Sequence, residues 1–129
     1  MPPKRIWASP TDAELEVLRV LWDRGESTVR EVHDAIAPDK PVGYTTVLKQ
    51  MQVMKRKGLV TRSERFRSHV YEAAQPQSNV QRSLVQTLMR QAFGGSALGL
   101  LQSALGGRKV DAAELDEIRQ LLDKMGAKR

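Results

Sequence analysis

The residues of this chain best suited to chemistry are basic, and they are concentrated in residues 39–69. This segment has eight lysine and arginine side chains against two acidic ones, a balance of +6 that equals the net charge of the whole 129-residue chain. A basic segment flanked by electrically balanced sequence is the pattern expected of a surface that binds nucleic-acid phosphates. The alternative is a solvated basic face, which is common for a single helix. The basic residues are Lys40, Lys49, Lys55, Arg56, Lys57, Arg62, Arg65 and Arg67.

Other kinds of site have little support in the sequence. The chain has no cysteine, and its two histidines, His33 and His69, fall on separate predicted elements, so we expect no metal site. There is no glycine-rich phosphate loop, no nucleophile motif and no carboxylate pair on an apolar background, so we expect neither an enzyme nor a cofactor. No apolar run approaches the ~20 residues of a membrane span and no secretory signal opens the chain, so the expected location is cytoplasmic. We expect His33, beside Asp34, to be exposed.

The elements that must position the basic residues begin with three predicted helices, after a polar arm over residues 1–10. Thr11 and Glu14 have the spacing of a capping box at the start of the first helix, which Gly25 can end. Thr28 and Glu31 repeat this pattern in the second helix. The second helix is predicted to end at Pro38. The third is predicted to cover Tyr44–Lys57, with Gly58 as its cap.

A β-hairpin is predicted after the third helix. Residues 59–65 and 69–73 contain β-branched and aromatic side chains, and Phe66 lies at the tip of the turn between them. Three helices followed by a hairpin predict a winged helix-turn-helix domain over residues 1–74. The fold class is therefore mainly α with a small β-hairpin wing, followed by a helical region.

Residues 75–129 predict three more helices, which we interpret as a dimerisation domain. The first starts near Ser78, with Gln81 completing another capping box, the second covers residues 96–105, and the third is capped by Asp111. Three short helices cannot easily close a core alone, so a second copy is the simplest cover for their apolar stripes. The alternative is that they fold back onto the N-terminal domain. The predicted interface residues are Leu84, Leu88, Leu115, Ile118, Leu121 and Leu122.

The candidate DNA contacts lie in the first turns of the third helix and in the wing. In this arrangement the third helix enters the major groove with its first turns at the base edges, and the hairpin contacts the adjacent backbone. The threonines could instead cap the helix, and the basic side chains of its last turn could instead pair with the helix dipole. The candidates are Gly43, Tyr44, Thr45, Thr46 and Lys49 in the helix, and Arg62, Arg65 and Arg67 in the wing.

Taken together, the motifs of the chain resemble the penicillinase repressor (BlaI/MecI) family over nearly its whole length. The motifs are residues 11–18, Trp22, residues 29–32, residues 44–47, residues 57–60, Val70-Tyr71, and residues 114–122. The resemblance implies a dimeric bacterial repressor with a winged helix and a C-terminal dimerisation region. Such repressors sit on palindromic operators and block transcription, often of β-lactamase or cell-wall genes.

The resemblance also implies a release mechanism and a possible partner. In family members that answer antibiotics, a membrane sensor metalloprotease system triggers cleavage in the C-terminal region and the dimer falls apart. The corresponding bond here is Ser103-Ala104, where well-known members have Asn-Phe, so the chain departs from the pattern at this bond. Copper-responsive relatives carry a C-terminal cysteine cluster, which this chain lacks.

Two other functions remain open from the sequence. One is a regulator that binds a small molecule between its domains, although six aromatic residues offer little material for an aromatic-lined pocket. The other is a winged-helix module that binds RNA or docks onto a protein. A competition between duplex DNA and duplex RNA separates the last possibility from a DNA-binding repressor.

Overall fold

A computed structural model describes residues 9–65 and 67–127. Most of the predicted arm over residues 1–10, and Phe66 at the predicted tip of the wing, therefore lie outside the described residues. Contacts between residues divide the chain into two compact units, residues 1–84 and residues 85–129. Within the described residues, no helix is both long and apolar enough to cross a bilayer.

The first unit begins with three helices: α1 (Asp12–Arg24), α2 (Val29–Ile36) and α3 (Tyr44–Lys57). The capping boxes predicted for α1 and α2 are confirmed, with the Thr11 and Thr28 side chains accepting from the backbone N–H groups of Glu14 and Glu31. The predicted range of α3 is confirmed as well. Gly58 follows it with φ 84° and ψ 13°, the left-handed conformation that glycine adopts without steric cost.

The wing consists of two antiparallel strands, β1 (Val60–Arg65) and β2 (Ser68–Ala73). Their register runs from Val60 opposite Ala73 to Arg65 opposite Ser68. Ser27, in the loop between α1 and α2, extends this sheet, since its N–H donates to the Tyr71 carbonyl and the Tyr71 N–H donates back to the Ser27 carbonyl. These two bonds tie the wing to the helical part of the unit.

A single apolar core holds these elements together. It contains buried side chains from all three helices and both strands, and Tyr71 is its largest fully buried member. The core residues are Val17, Leu18, Leu21, Val29, Val32, Ile36, Val47, Met51, Met54, Leu59, Val60 and Tyr71. The helix-turn-helix and the wing therefore form one cooperative body, and this unit confirms the predicted fold class.

An ion pair joins the start of α1 to the end of α3. The Glu14 carboxylate is only 4% exposed; its Oε1 accepts from the Thr11 N–H at 2.9 Å and its Oε2 accepts from Lys57 Nζ at 2.7 Å. Burial raises the pKa of Glu14. The hydrogen bonds from Lys57 and Thr11 and the charge of Lys57 lower it by more, so the pKa of Glu14 lies below its ordinary value. The carboxylate is therefore held in its charged form.

The next helix, α4 (Gln77–Ala92), crosses the division between the two units. It starts one residue before Ser78, and the N–H groups of Asn79 and Val80 donate to the Pro76 carbonyl, so the predicted capping role of Ser78 is wrong. Val80 is 2% exposed, which makes the first turns of α4 part of the first unit. The indole N–H of Trp22 also donates to the Gln75 carbonyl at 3.0 Å. The functional boundary after residue 74 stays a prediction.

The second unit contains the rest of α4 together with α5 (Ala97–Gly106) and α6 (Ala112–Ala127). Ser96 caps α5 by accepting from the Gly99 N–H, and Asp111 accepts from the Glu114 N–H as predicted. None of the described residues of this unit, 85–127, is buried. The large apolar side chains that are exposed there are Val85, Leu88, Leu98, Leu121, Leu122 and Met125.

We predict that Glu14→Gln lowers the free energy of unfolding by about 1–2 kcal/mol, because glutamine keeps the capping box and removes the ionic bond to a partly exposed Lys57. Glu16→Gln is the control, since Glu16 pairs with an exposed Lys40 and such pairs are worth less than about 1 kcal/mol. Urea unfolding measures both.

The same comparison has a predicted pH dependence. Since the folded pKa of Glu14 lies below its ordinary value of 4.5, the unfolded chain binds more protons in the interval between the two, and stability rises with pH there. The difference between wild type and Glu14→Gln is therefore full above about pH 5 and disappears as the pH falls through the lowered pKa. A difference that is constant with pH contradicts the ionic assignment.

Candidate nucleic-acid interface

The outward face of α3 is a continuous polar and basic stripe. Thr45, Lys49, Gln52 and Arg56 follow one another at helical spacing, and all four are exposed. The opposite face of α3 carries the buried Val47, Met51 and Met54. The stripe, which we call the α3 stripe, contains two of the predicted contact residues together with Gln52, which the sequence analysis did not single out.

The first turn of α3 is not capped by a side chain. Gly43 is the N-cap residue, and no side chain caps this helix. The capping alternative for Thr45 and Thr46 is therefore excluded, and both side chains are exposed. Their hydroxyl groups can donate to or accept from base edges and phosphates, and their methyl groups can pack on thymine.

The turn before α3 is held by His33, which the sequence predicted to be exposed. This prediction is wrong, since the His33 side chain is 18% exposed and its Nε2 lies 2.9 Å from the Val42 carbonyl oxygen. A carbonyl oxygen only accepts, so Nε2 is the donor of this hydrogen bond. Nδ1 lies 3.2 Å from Asp34 Oδ1. Because His33 belongs to α2, its hydrogen bond to the Val42 carbonyl fixes the turn that leads into α3.

Tyr44, the first residue of α3, contacts α2 through its ring. The Arg30 guanidinium carbon lies 4.8 Å from the ring centroid, a cation–π contact. The His33 ring meets the same ring edge-on, with 6.2 Å between the centroids. Tyr44 is nevertheless exposed, so one side chain of the candidate surface is both accessible and held by two neighbours. Arg30 was not among the predicted contacts, because nothing local in the sequence relates it to Tyr44.

The three arginines of the wing do not form one patch. Residues of a strand alternate between the two faces of a sheet, which places Arg62 and Arg65 on opposite faces of the hairpin. Arg65 forms an ion pair with Glu26, in the loop between α1 and α2. Arg67 is exposed in the turn, where its φ of 67° is in the left-handed region. The structure thus separates three residues that the sequence placed together.

Ion pairs reduce the number of available cations in the basic segment. Besides the Arg65 pair, Lys57 binds Glu14 and Lys40 binds Glu16 at 2.8 Å. The Lys57 pair is the most buried, whereas the Lys40 pair is exposed on both sides and easily exchanged. Within the described residues, the basic side chains of this segment that form no ion pair are Lys49, Lys55, Arg56, Arg62 and Arg67.

A matching protein-family model and similar proteins identify the family of the chain. The family described as Penicillinase repressor matches residues 10–124. The chain belongs to the penicillinase repressor family. It is 32% identical over 119 residues to the transcriptional regulator BlaI of two Mycobacterium tuberculosis strains, CDC 1551 / Oshkosh and H37Rv, an alignment that covers 90% of this chain and 84% of the relative. The predicted family is therefore confirmed.

A solved structure supports the fold of the first unit. The solution structure of the DNA binding domain of the repressor BlaI matches with a TM-score of 0.51 and 25% identity, over 60% of this chain and 93% of that one. This protein is thus a BlaI-like transcriptional regulator with a winged-helix fold. No group of three or more potential metal ligands occurs within residues 9–65 and 67–127.

We predict that Lys49→Gln and Lys57→Gln separate the two roles of the basic residues. Lys49→Gln removes an exposed charge from the α3 stripe, so the slope of log affinity for duplex DNA against log salt becomes shallower by about 0.9 per protomer, with little change in stability. Lys57→Gln leaves a buried carboxylate without its cation and lowers the melting temperature instead. DNA titrations over a salt series and thermal melts measure the two effects, and an exchange of the two results contradicts this division.

Proposed function

We propose that the protein is a homodimeric transcriptional repressor whose target is a palindromic duplex DNA operator. The observation that carries the proposal is the exposed α3 stripe. No acidic residue occurs from Tyr44 to Lys57, and the stripe presents hydroxyl, amide and cationic groups from a helix whose other face is buried. A surface of this chemistry on the second helix of a helix-turn-helix is suited to the major groove.

In this proposal the first turns of α3 read the bases. Thr45 and Thr46 contact base edges, Lys49 reaches a phosphate or a guanine, and Gly43 lets the backbone approach closely because it has no side chain. The wing contacts the flanking backbone through Arg62 and Arg67. Arg65 contributes to DNA binding only when its ion pair with the partly buried Glu26 opens. Because Arg65 itself is exposed, breaking this pair costs little.

The proposed dimer forms through the second unit. Residues 85–127, the described part of the second unit, include no buried side chain, so their apolar surface stays in water, and covering that surface with a second copy is favourable. Of the predicted interface residues, Leu88, Leu121 and Leu122 are exposed, while Leu84, Leu115 and Ile118 are partly buried. The exposed Leu98 and Met125 extend the proposed interface beyond the residues predicted from the sequence.

Dimerisation explains how the DNA could be released. A dimer binds two half-sites, and the second contact benefits from the high effective concentration created by the first. Proteolysis in the second unit therefore lowers operator occupancy without changing the reading surface. Ser103 and Ala104, the proposed cleavage position, are both exposed in α5, and a membrane sensor metalloprotease system is the proposed partner.

The other parts of the proposed function follow from the relatives. The matched relatives are named as transcriptional regulators, which supports a protein that is not an enzyme and works without a cofactor. The same comparison supports a cytoplasmic location, where an operator is accessible.

We predict that residues 1–84 fold alone but bind the operator far more weakly than the full chain. A cut after residue 84 keeps Val80 and the bond from Trp22 to Gln75, whereas a cut after residue 74 removes both and lowers stability. With about four phosphates per protomer, the salt slope is about −7 for the full-length dimer and about −4 for residues 1–84. Operator duplexes selected from a random DNA pool, titrated over a salt series, measure both slopes.

Two outcomes contradict the proposed function. One is a full-length protein that is monomeric at micromolar concentration, and the other is a salt slope shallower than about −2. Equal operator affinity of residues 1–84 and the full chain removes the release mechanism even if DNA binding itself is confirmed.

We predict that limited digestion with a protease of broad specificity first cuts the chain in or beside α5. This helix has ten residues, none of them buried; Gly94-Gly95 precede it, and it ends at the pair Gly106-Gly107. Helices of this length are marginal alone, so local opening costs little. Mass spectrometry of the first fragments identifies the cut. A first cut within α1–α3 contradicts this assignment.

A further inference from the structure

A groove borders the α3 stripe in the first unit. It has a volume of about 380 Å³, and its lining comes from α2, α3 and both strands of the wing. The side chains with polar atoms that line it are Thr28, Arg30, Tyr44, Gln52, Arg62, Ser68, His69 and Tyr71.

The chemistry of the groove is one-sided. Two guanidinium groups, two phenols, two aliphatic hydroxyls, an amide and an imidazole all have hydrogen-bond donors, and among the described residues no carboxylate lines the groove. Glu64 lies opposite His69 in the strand register but is not part of the lining. The groove is thus suited to an anion that accepts several hydrogen bonds, and guanidinium groups match phosphate geometry.

A second concave region of the same unit provides a contrast. It is larger, about 450 Å³, and lies between α1 and α2. Its two arginines, Arg19 and Arg24, are accompanied by three carboxylates, those of Glu16, Asp23 and Asp39. Neighbouring carboxylates compete with an anion for the arginines, so concavity and arginine content alone do not make an anion site. The absence of carboxylates distinguishes the groove beside α3.

One of the two arginines is already oriented. Arg30 lies over the Tyr44 ring at 4.8 Å, and that ring is also in contact with His33. Neither Arg30 nor Arg62 forms an ion pair within the described residues. An arginine stacked on an aromatic ring loses less side-chain entropy on binding than a freely rotating one. The groove therefore has a positioned cation on α2 and a second cation on β1.

We propose that this groove binds a backbone phosphate of duplex DNA, with Arg30 and Arg62 as its cationic ligands and Tyr44 as the residue that positions Arg30. The inference rests on the proposed function, because the DNA strand reaches the groove only when α3 lies in the major groove and the wing lies on the flanking backbone. It adds a contact between reading helix and wing that fixes register without reading sequence.

The test uses full-length wild type, Arg30→Gln and Arg62→Gln, with Arg19→Gln from the second concave region as the matched control. All three arginines are exposed, so the variants are expected to keep the melting temperature of the wild type. On both a selected operator and a random-sequence duplex, Arg30→Gln and Arg62→Gln each make the salt slope measurably shallower, by up to about 0.9 per protomer, and Arg19→Gln does not.

A phosphate scan identifies the contact itself. Operator duplexes are prepared in which one phosphate at a time is replaced by a neutral methylphosphonate. At one linkage per half-site the wild type loses about tenfold in affinity, the loss expected for one charge-assisted hydrogen bond. Arg30→Gln and Arg62→Gln each lose less than the wild type at that linkage, because only one of the two arginines remains there. Tyr44→Phe keeps the ring and the wild-type scan, whereas Tyr44→Leu weakens the response at that linkage.

The possible failures are distinguishable. A wild type that binds no duplex DNA overturns the proposed function. A wild type that binds DNA, with salt slopes and phosphate scans unchanged in Arg30→Gln and Arg62→Gln, overturns only the groove assignment. Stabilisation of the wild type by inorganic phosphate above chloride at equal ionic strength, lost in Arg30→Gln and accompanied by an unchanged phosphate scan, shows a free-anion site and also overturns the assignment.

Discussion

The burial of one face of α3 is the constraint on which the candidate interface depends. Val47, Met51 and Met54 are almost completely inaccessible to solvent, and together they set the rotation of the helix about its axis. Turning α3 by one residue, about 100°, would move polar and charged side chains into the core and apolar ones into water. The outward direction of Thr45, Lys49, Gln52 and Arg56 is therefore a consequence of the core.

Both ends of α3 are held by side chains from other elements. His33 of α2 binds the carbonyl of Val42 just before the helix, and Glu14 of α1 binds Lys57 at its last residue. The rotation set by the core is thus combined with fixed ends, and a reading helix needs both, because base contacts depend on placement within a few tenths of an ångström. Glu14, the acidic residue with the lowered pKa, is not part of the α3 stripe; it supports the stripe by holding the end of α3 through Lys57.

The features that were predicted from the sequence are local ones. The capping boxes of α1 and α2, the range of α3 and the left-handed Gly58 depend on residues at most a few positions apart and were confirmed, whereas the equally local box predicted at Ser78 was wrong. The features that were missed depend on contacts across the fold. Lys57 and Glu14 are 43 residues apart, and Trp22 and Gln75 are 53 residues apart. A count of charges along the chain therefore overestimated the available cations, and the role of Arg30 could not be seen.

The two units differ in how complete they are, and this difference fits the proposed regulation. The first unit closes its own core and ties its wing to its helices, so its reading surface exists independently of any partner. The described residues of the second unit include no buried side chain, so its stability under the proposed function depends on the concentration of a second copy. Regulation is most effective at the second unit, which has little stability of its own, because a small loss of dimerisation free energy there changes the fraction of protein that is dimeric. A cut or a binding event in the second unit can then control DNA occupancy while the first unit stays folded and ready to bind again.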